Sequence, residues 1–254
     1  MAPARTDQCF LMRGVDNTTW AFDQGKVSDR GLHDTALIGI GVVENTYPIH
    51  GLPEGVVPGL QFGERLSDEH AARLPGVIGV FGTSRRPRIP PQLSRVTEMP
   101  REVNQVVSER LRSVIEELEP GVHQFIPVRY VDGRTGKPVY EDMRWFYFNV
   151  LTWIPPNELF DVHAMGTEVD VRAVHNRRKL MYFSTVKNRY VVSAKCLQST
   201  LSGKMIWRTG SYITKENDKM VAPTEIFCRS EVMEAVKAHD IRGVRFIAVP
   251  VGST

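Results

Sequence analysis

Ser108-Glu109-Arg110-Leu111-Arg112-Ser113-Val114-Ile115-Glu116-Glu117-Leu118-Glu119-Pro120-Gly121-Val122 is the most periodic stretch of the chain, and its reading decides the fold class. Together with Val107, residues Leu111, Val114, Ile115 and Leu118 recur at spacings of three and four, the stripe of an amphipathic helix. Ser108 can accept from an exposed first-turn N–H, Glu109 suits the positive end of the helix dipole, and Pro120-Gly121 stops the element. Upstream, Val103–Val107 reads either as a strand or as the first turns of the helix. Downstream, Gln124–Val131 reads as a strand, Asp132-Gly133-Arg134-Thr135-Gly136 as a turn, and Trp145–Trp153 as a buried strand rich in aromatics.

The same grammar recurs later. Ser230-Glu231 leads through Val232, Met233, Val236 and Lys237 to Gly243-Val244 and then Phe246-Ile247-Ala248-Val249, as the first unit leads to Phe125-Ile126-Pro127-Val128. Serine and glycine stand 13 residues apart in both units, and Val244–Val251 reads as a strand. Capped helix, glycine stop and buried strand form a common combination, so coincidence and two related α/β layers both remain open. The expected fold is α+β, a mixed or antiparallel sheet with a few packed helices.

Outward from these units the texture changes. Gln8–Val15 and Thr18–Gln24 flank Asp16-Asn17, a pair suited to a tight turn, so an opening β-hairpin is expected. Between about residues 25 and 100, Gly and Pro recur every few residues, as in Pro87-Arg88-Ile89-Pro90-Pro91. Ser67-Asp68-Glu69-His70 can start a short helix through Leu74, and Val77–Phe81 reads as a strand. Further strand-like runs are Glu168–Val174, Lys179–Phe183, Tyr190–Ser193 and Met205–Arg208. The expected organisation is a loop-rich lobe over 1–100 with the hairpin, and an α+β region over 101–254, either separable or continuous.

Composition bounds the function classes. Hydrophobic residues make up 42% of the 254, enough for a sizeable core without disulfides or a structural metal. Lys and Arg total 32 against 29 Asp and Glu, a balance too even for a basic nucleic-acid stripe or a polybasic membrane anchor. Cys9, Cys196 and Cys228 are too few and too scattered for a disulfide framework, which points to a reducing, cytoplasmic setting. The first residues lack the apolar core of a signal peptide, and no apolar run reaches the 18–20 or so residues that span a bilayer.

Candidate chemistry is sparse. Asp161 and His163, one residue apart, could face the same way on a strand, and with Asp170 and His175 could hold a divalent ion for a metal-dependent hydrolase. They lack a zinc-site spacing, and solvated loop residues are the simpler reading. Cys228 precedes a helix start, where a thiolate is favoured, but Ile226 and Phe227 beside it argue for burial. No phosphate-binding glycine loop occurs, since Gly203-Lys204-Met205 lacks the Ser or Thr that the loop requires. Arg85-Arg86-Pro87-Arg88, and Arg177-Arg178-Lys179 with Lys187 and Arg189, form two basic clusters. The second, with Tyr182 and Tyr190, could serve a nucleic-acid module; either could steer an acidic protein partner.

Several stretches together carry a family resemblance: Val106-Val107-Ser108-Glu109-Arg110-Leu111 through Phe125-Ile126-Pro127-Val128, and Phe148-Asn149-Val150-Leu151 with Phe160-Asp161. Ile206-Trp207-Arg208, Ile226-Phe227-Cys228-Arg229-Ser230-Glu231 and Gly243 through Pro250 complete it. Over roughly residues 100–251 the chain resembles the immunity proteins of bacterial polymorphic toxin systems, in particular immunity family eleven. The resemblance implies a cytoplasmic, non-catalytic protein without a cofactor that protects its producer by binding a cognate toxin. Tight complexes rest on a few buried aromatic or Arg anchors, so Arg86, Arg88, Arg177 and Arg178 are the expected contacts.

Overall fold

The computed structural model describes residues 8–14, 20–23, 63–72, 74, 76–82, 97–100, 106–132, 135–154, 174–176, 179–184, 189–192, 196–209 and 225–252. They form three sheets and three helices of an α+β fold.

The Ser108 segment forms the helix its periodicity requires. Strand β4 (Val106–Ser108) runs into helix α2 (Glu109–Leu118), which follows the short helix α1 (Asp68–Ala72). Ser108 is the N-cap, its Oγ accepting from the Leu111 N–H at 3.1 Å. Val103–Val107 thus resolves in favour of a strand, in its last residues. Leu111, Val114 and Ile115 are buried, each contributing about 1.5–3 kcal/mol through apolar area removed from water. Beyond Gly121, at φ +69°, the chain enters β5 (Gln124–Asp132). Strand β7 (Trp145–Asn149) then pairs antiparallel with both β4 and β5. All five of its residues are buried, and it ends at Asn149 rather than Trp153.

The second unit repeats this topology. Strand β13 (Glu225–Arg229) leads into α3 (Ser230–Ala238), Gly243 at φ +73°, and β14 (Val244–Gly252). Both strands pair antiparallel with β1 (Gln8–Gly14), which lies between them as β7 lies between β4 and β5. Each unit is therefore strand–helix–strand, its two strands parallel and separated by one antiparallel strand. The two helices pack together, and one core joins them to both sheets through Phe10, Met12, Leu111, Ile115, Phe146, Phe148, Cys228, Val232 and Val236. The likeness is incomplete at the helix starts. Ser230 is the first helical residue rather than the cap, and its hydroxyl bonds the Glu231 carboxylate at 3.1 Å.

The opening hairpin is not formed. Both edges of β1 are taken, Cys9 lying opposite Arg229 on one side and Val249 on the other. Strand β2 (Trp20–Asp23) instead pairs with β3 (Val77–Gly82), which runs parallel to β5. A local turn signal at Asp16-Asn17 lost to the larger pairing surface offered by β13 and β14. Sheet one thus has the order β11-β14-β1-β13-β12, with β11 (Cys196–Leu197) parallel to β14 and β12 (Ile206–Thr209) antiparallel to β13. Sheet two runs β2-β3-β5-β7-β4, with β6 (Pro138–Val139) beside β5. The third sheet joins β8 (Val174–Asn176), β9 (Lys179–Ser184) and β10 (Arg189–Val192) as antiparallel neighbours.

The far face of sheet two carries a second core, in which Tyr130 meets Tyr140 and Trp145 edge-on at ring separations of 5.7 and 5.1 Å. Arg208 of β12, 2% exposed, joins the sheets. Its backbone pairs with Thr152 and Ile154, and its Nη2 donates to the Phe148 carbonyl at 3.4 Å. Burial pulls its guanidinium down to about 9.

Candidate functional site

Two buried carboxylates fasten the first unit to its neighbours, Glu119 to β12 and Glu98 to the end of the second unit's helix. Glu119 ends α2, where the negative end of the helix dipole disfavours an acid. It is retained because β12 offers donors: the Met205 N–H reaches Oε1 at 2.9 Å and the Ile206 N–H reaches Oε2 at 3.0 Å. His123 Nε2 lies 2.8 Å from the same Oε2. The Leu151 N–H points at His123 Nδ1 at 3.4 Å, so Nδ1 accepts and Nε2 carries the hydrogen donated to Glu119. The ring also meets Phe148 edge-on at 5.5 Å.

Glu98 makes the second fastening, at the opposite end of α2. Its carboxylate accepts from Ser108 Oγ and from Arg110 Nη1, each at 2.8 Å, while Arg110 Nη2 donates to the His239 carbonyl beyond α3 at 2.8 Å. Its backbone bonds Ser108 on one side and Arg242 on the other. Thr97 beside it donates to the Gly243 carbonyl at 3.4 Å and accepts from the Met99 N–H. Both carboxylates direct their lone pairs at intramolecular donors, an arrangement that holds elements together.

A third polar cluster pins the segment before α1 across sheet two. The Gln124 side-chain amide bonds both backbone groups of Leu66, and Asn149 Nδ2 donates to the Glu64 carbonyl and to Gln124 Oε1. Gly63, at φ +71°, allows this approach, since a Cβ there would come within 2.9 Å of the Val150 carbonyl.

Arg86, Arg88, Arg177 and Arg178 lie outside the described residues, as do Asp161, His163 and Asp170. His175 lies on β8 and Cys196 on β11, and the side chains of both are likewise outside the description. Among the described residues, no three His, Cys, Asp or Glu converge as for a metal, and no helix is long and apolar enough to cross a membrane. Cys228 is buried in the shared core, its thiol pushed well above the ordinary range by burial, with Cys9 and Glu231 adding to the effect. Cys9 is also buried, its thiol donating to the Val249 carbonyl at 3.7 Å. A thiol titration of the native protein should therefore find at most one of three cysteines reactive, the others appearing only on unfolding. Two rapidly reacting thiols in native protein would contradict this packing.

The Glu119–His123 pair has one signal in the sequence, its four-residue spacing across a helix end. Glu98 offered none, because its partners come from residues 108, 110 and 242.

Residues 68–152 match the model of an immunity protein family, Imm11. The family is the one that the sequence resembles, and the matched span runs from α1 through β3, α2 and β5 to just beyond β7. It begins before residue 100 and stops at 152, so it takes in the first strand–helix–strand unit and leaves out the second. No curated protein matches the chain.

Proposed function

We propose that this chain is an immunity protein that neutralises a cognate bacterial toxin by direct binding, without catalysis, in the cytoplasm of the producing cell. The observation that carries the reading is the family match over residues 68–152. Arg86 and Arg88, within the matched span, and Arg177 and Arg178, outside it, are proposed toxin contacts. Truncating a central anchor among them should weaken binding by at least about 2 kcal/mol.

The test is capture of the tagged chain from its producing cell, with a high-salt wash and mass spectrometry of what remains. The expected result is one stoichiometric partner that arrests growth when expressed alone and does not when this chain is co-expressed. A partner whose toxicity is unchanged by excess chain, or no stoichiometric partner in cells shown to make the toxin, would overturn the proposal.

A further inference from the structure

On the helix-bearing face of sheet two, where α2 leaves the strands uncovered, three arginines gather. Arg112, one turn into α2, holds its guanidinium 4.6 Å from the Phe146 ring centre and 5.4 Å from that of Phe125. Phe125 and Phe148 stack at 5.1 Å, and the Phe125–Phe148 and Pro127–Phe146 pairings place residues 125, 127 and 129 on this same face. Pro127 and Arg129 are exposed there. The β5–β7 ladder closes at Val128–Trp145, and Arg129 and Arg144 are the next residues beyond that pair on their two segments, Arg144 with its side chain 80% exposed.

Among the described residues, neither Arg112 nor Arg129 has a carboxylate in ion-pair range. Arg144 meets only Glu109, at 3.5 Å, and an exposed pair of that kind is weak and readily exchanged. Glu116, one turn beyond Arg112, accepts from the Gly121 N–H instead. The rings stabilise Arg112 where it stands, and three like charges around one pair of rings concentrate a positive potential that an incoming anion relieves.

We infer that the face formed by Arg112, Arg129 and Arg144 around Pro127, Phe125 and Phe146 docks a carboxylate-rich segment of a protein partner. The guanidiniums supply planar forks for paired carboxylate oxygens, and Arg112 is ordered before the partner arrives, which lowers the entropic cost of docking. The compact patch, on a chain of net charge +3, suits an acidic loop better than a nucleic-acid strand, whose phosphates need a longer basic row. The inference deepens the proposed function, on which it rests for the identity of the partner as a toxin.

The test titrates the full chain against a labelled polyglutamate peptide and against a single-stranded oligonucleotide of equal charge. Polyglutamate should bind the unaltered chain more tightly than the oligonucleotide. Arg112→Glu/Arg129→Glu/Arg144→Glu should weaken that binding at least about tenfold. Arg129→Glu/Arg144→Glu, which leaves Arg112 on its rings, should give a smaller loss and decides the matter if circular dichroism shows the triple variant unfolded. No polyglutamate binding, equal binding by a folded variant, or tighter oligonucleotide binding would overturn the inference. A toxin captured and neutralised equally well by the triple variant would remove this surface but keep the proposed function. Polyglutamate binding that depends on the arginines, with no toxin neutralised, would do the reverse.

Discussion

Replacing Gly243 with alanine should destabilise the protein by about 2–5 kcal/mol, whereas the same change at Gly121 should cost only about 1–2 kcal/mol. The two glycines hold equivalent places in the two units, each past its helix and close to φ +70°. A left-handed backbone penalises any Cβ, so both variants share that term. They differ in what the Cβ meets. At Gly121 nothing lies within 4 Å, while at Gly243 the new carbon would overlap Thr97, including its backbone Cα. Thr97 cannot yield freely, because Glu98 beside it is held by Ser108, Arg110 and Arg242. Overpacking against fixed backbone adds about 1–3 kcal/mol to the conformational term. At about 2–4 °C per kcal/mol for a chain of this size, the Gly243→Ala midpoint should fall by roughly 4–20 °C. Thermal unfolding of both variants checks this, and equal losses would mean that Thr97 does not crowd Gly243.

Glu119→Ala should be at least as damaging, costing at least about 3 kcal/mol. The substitution leaves the Met205 and Ile206 N–H groups and His123 Nε2–H without their acceptor, and each orphaned buried donor costs about 1–3 kcal/mol. Glu119→Gln keeps one oxygen for Met205 and should lose about half as much. Glu117→Ala, two residues earlier and with a side chain 65% exposed, should change stability by less than about 0.5 kcal/mol. Denaturant unfolding of the three variants supplies the comparison. A Glu119→Ala loss near that of Glu117→Ala would show that water replaces the carboxylate and that the fastening is weak.

Both effects arise in the parts of the fold least visible from sequence. The strand–helix–strand units were legible because Leu111, Val114 and Ile115 follow a helical period and glycines stop both helices, all local signals. Ser108 caps its helix as read, yet Ser230 does not, because one residue of difference in helix start turns its hydroxyl to Glu231. The Asp16-Asn17 turn failed as a hairpin signal for the opposite reason. Turn residues report only local preference, and β1 finds two partners more than 200 residues away. The arginine face was hidden for a related cause: Arg112, Arg129 and Arg144 come near Phe146 only once the β5–β7 register and the setting of α2 are known.

The central position of β1 also governs how the molecule is made. Cys9 and Val249 lie 240 residues apart yet occupy neighbouring strands. At about 5–20 residues per second, a ribosome needs roughly 12–50 s to travel from one to the other. For most of that interval Cys9, Phe10, Leu11 and Met12, all buried in the finished protein, have neither sheet partner available. The first unit, whose strands β4, β5 and β7 lie within 44 residues of sequence, can pair and bury its helix long before then. Completion of sheet one therefore comes after that of the first unit, and β1 is a segment that a chaperone has reason to hold while the chain is still emerging.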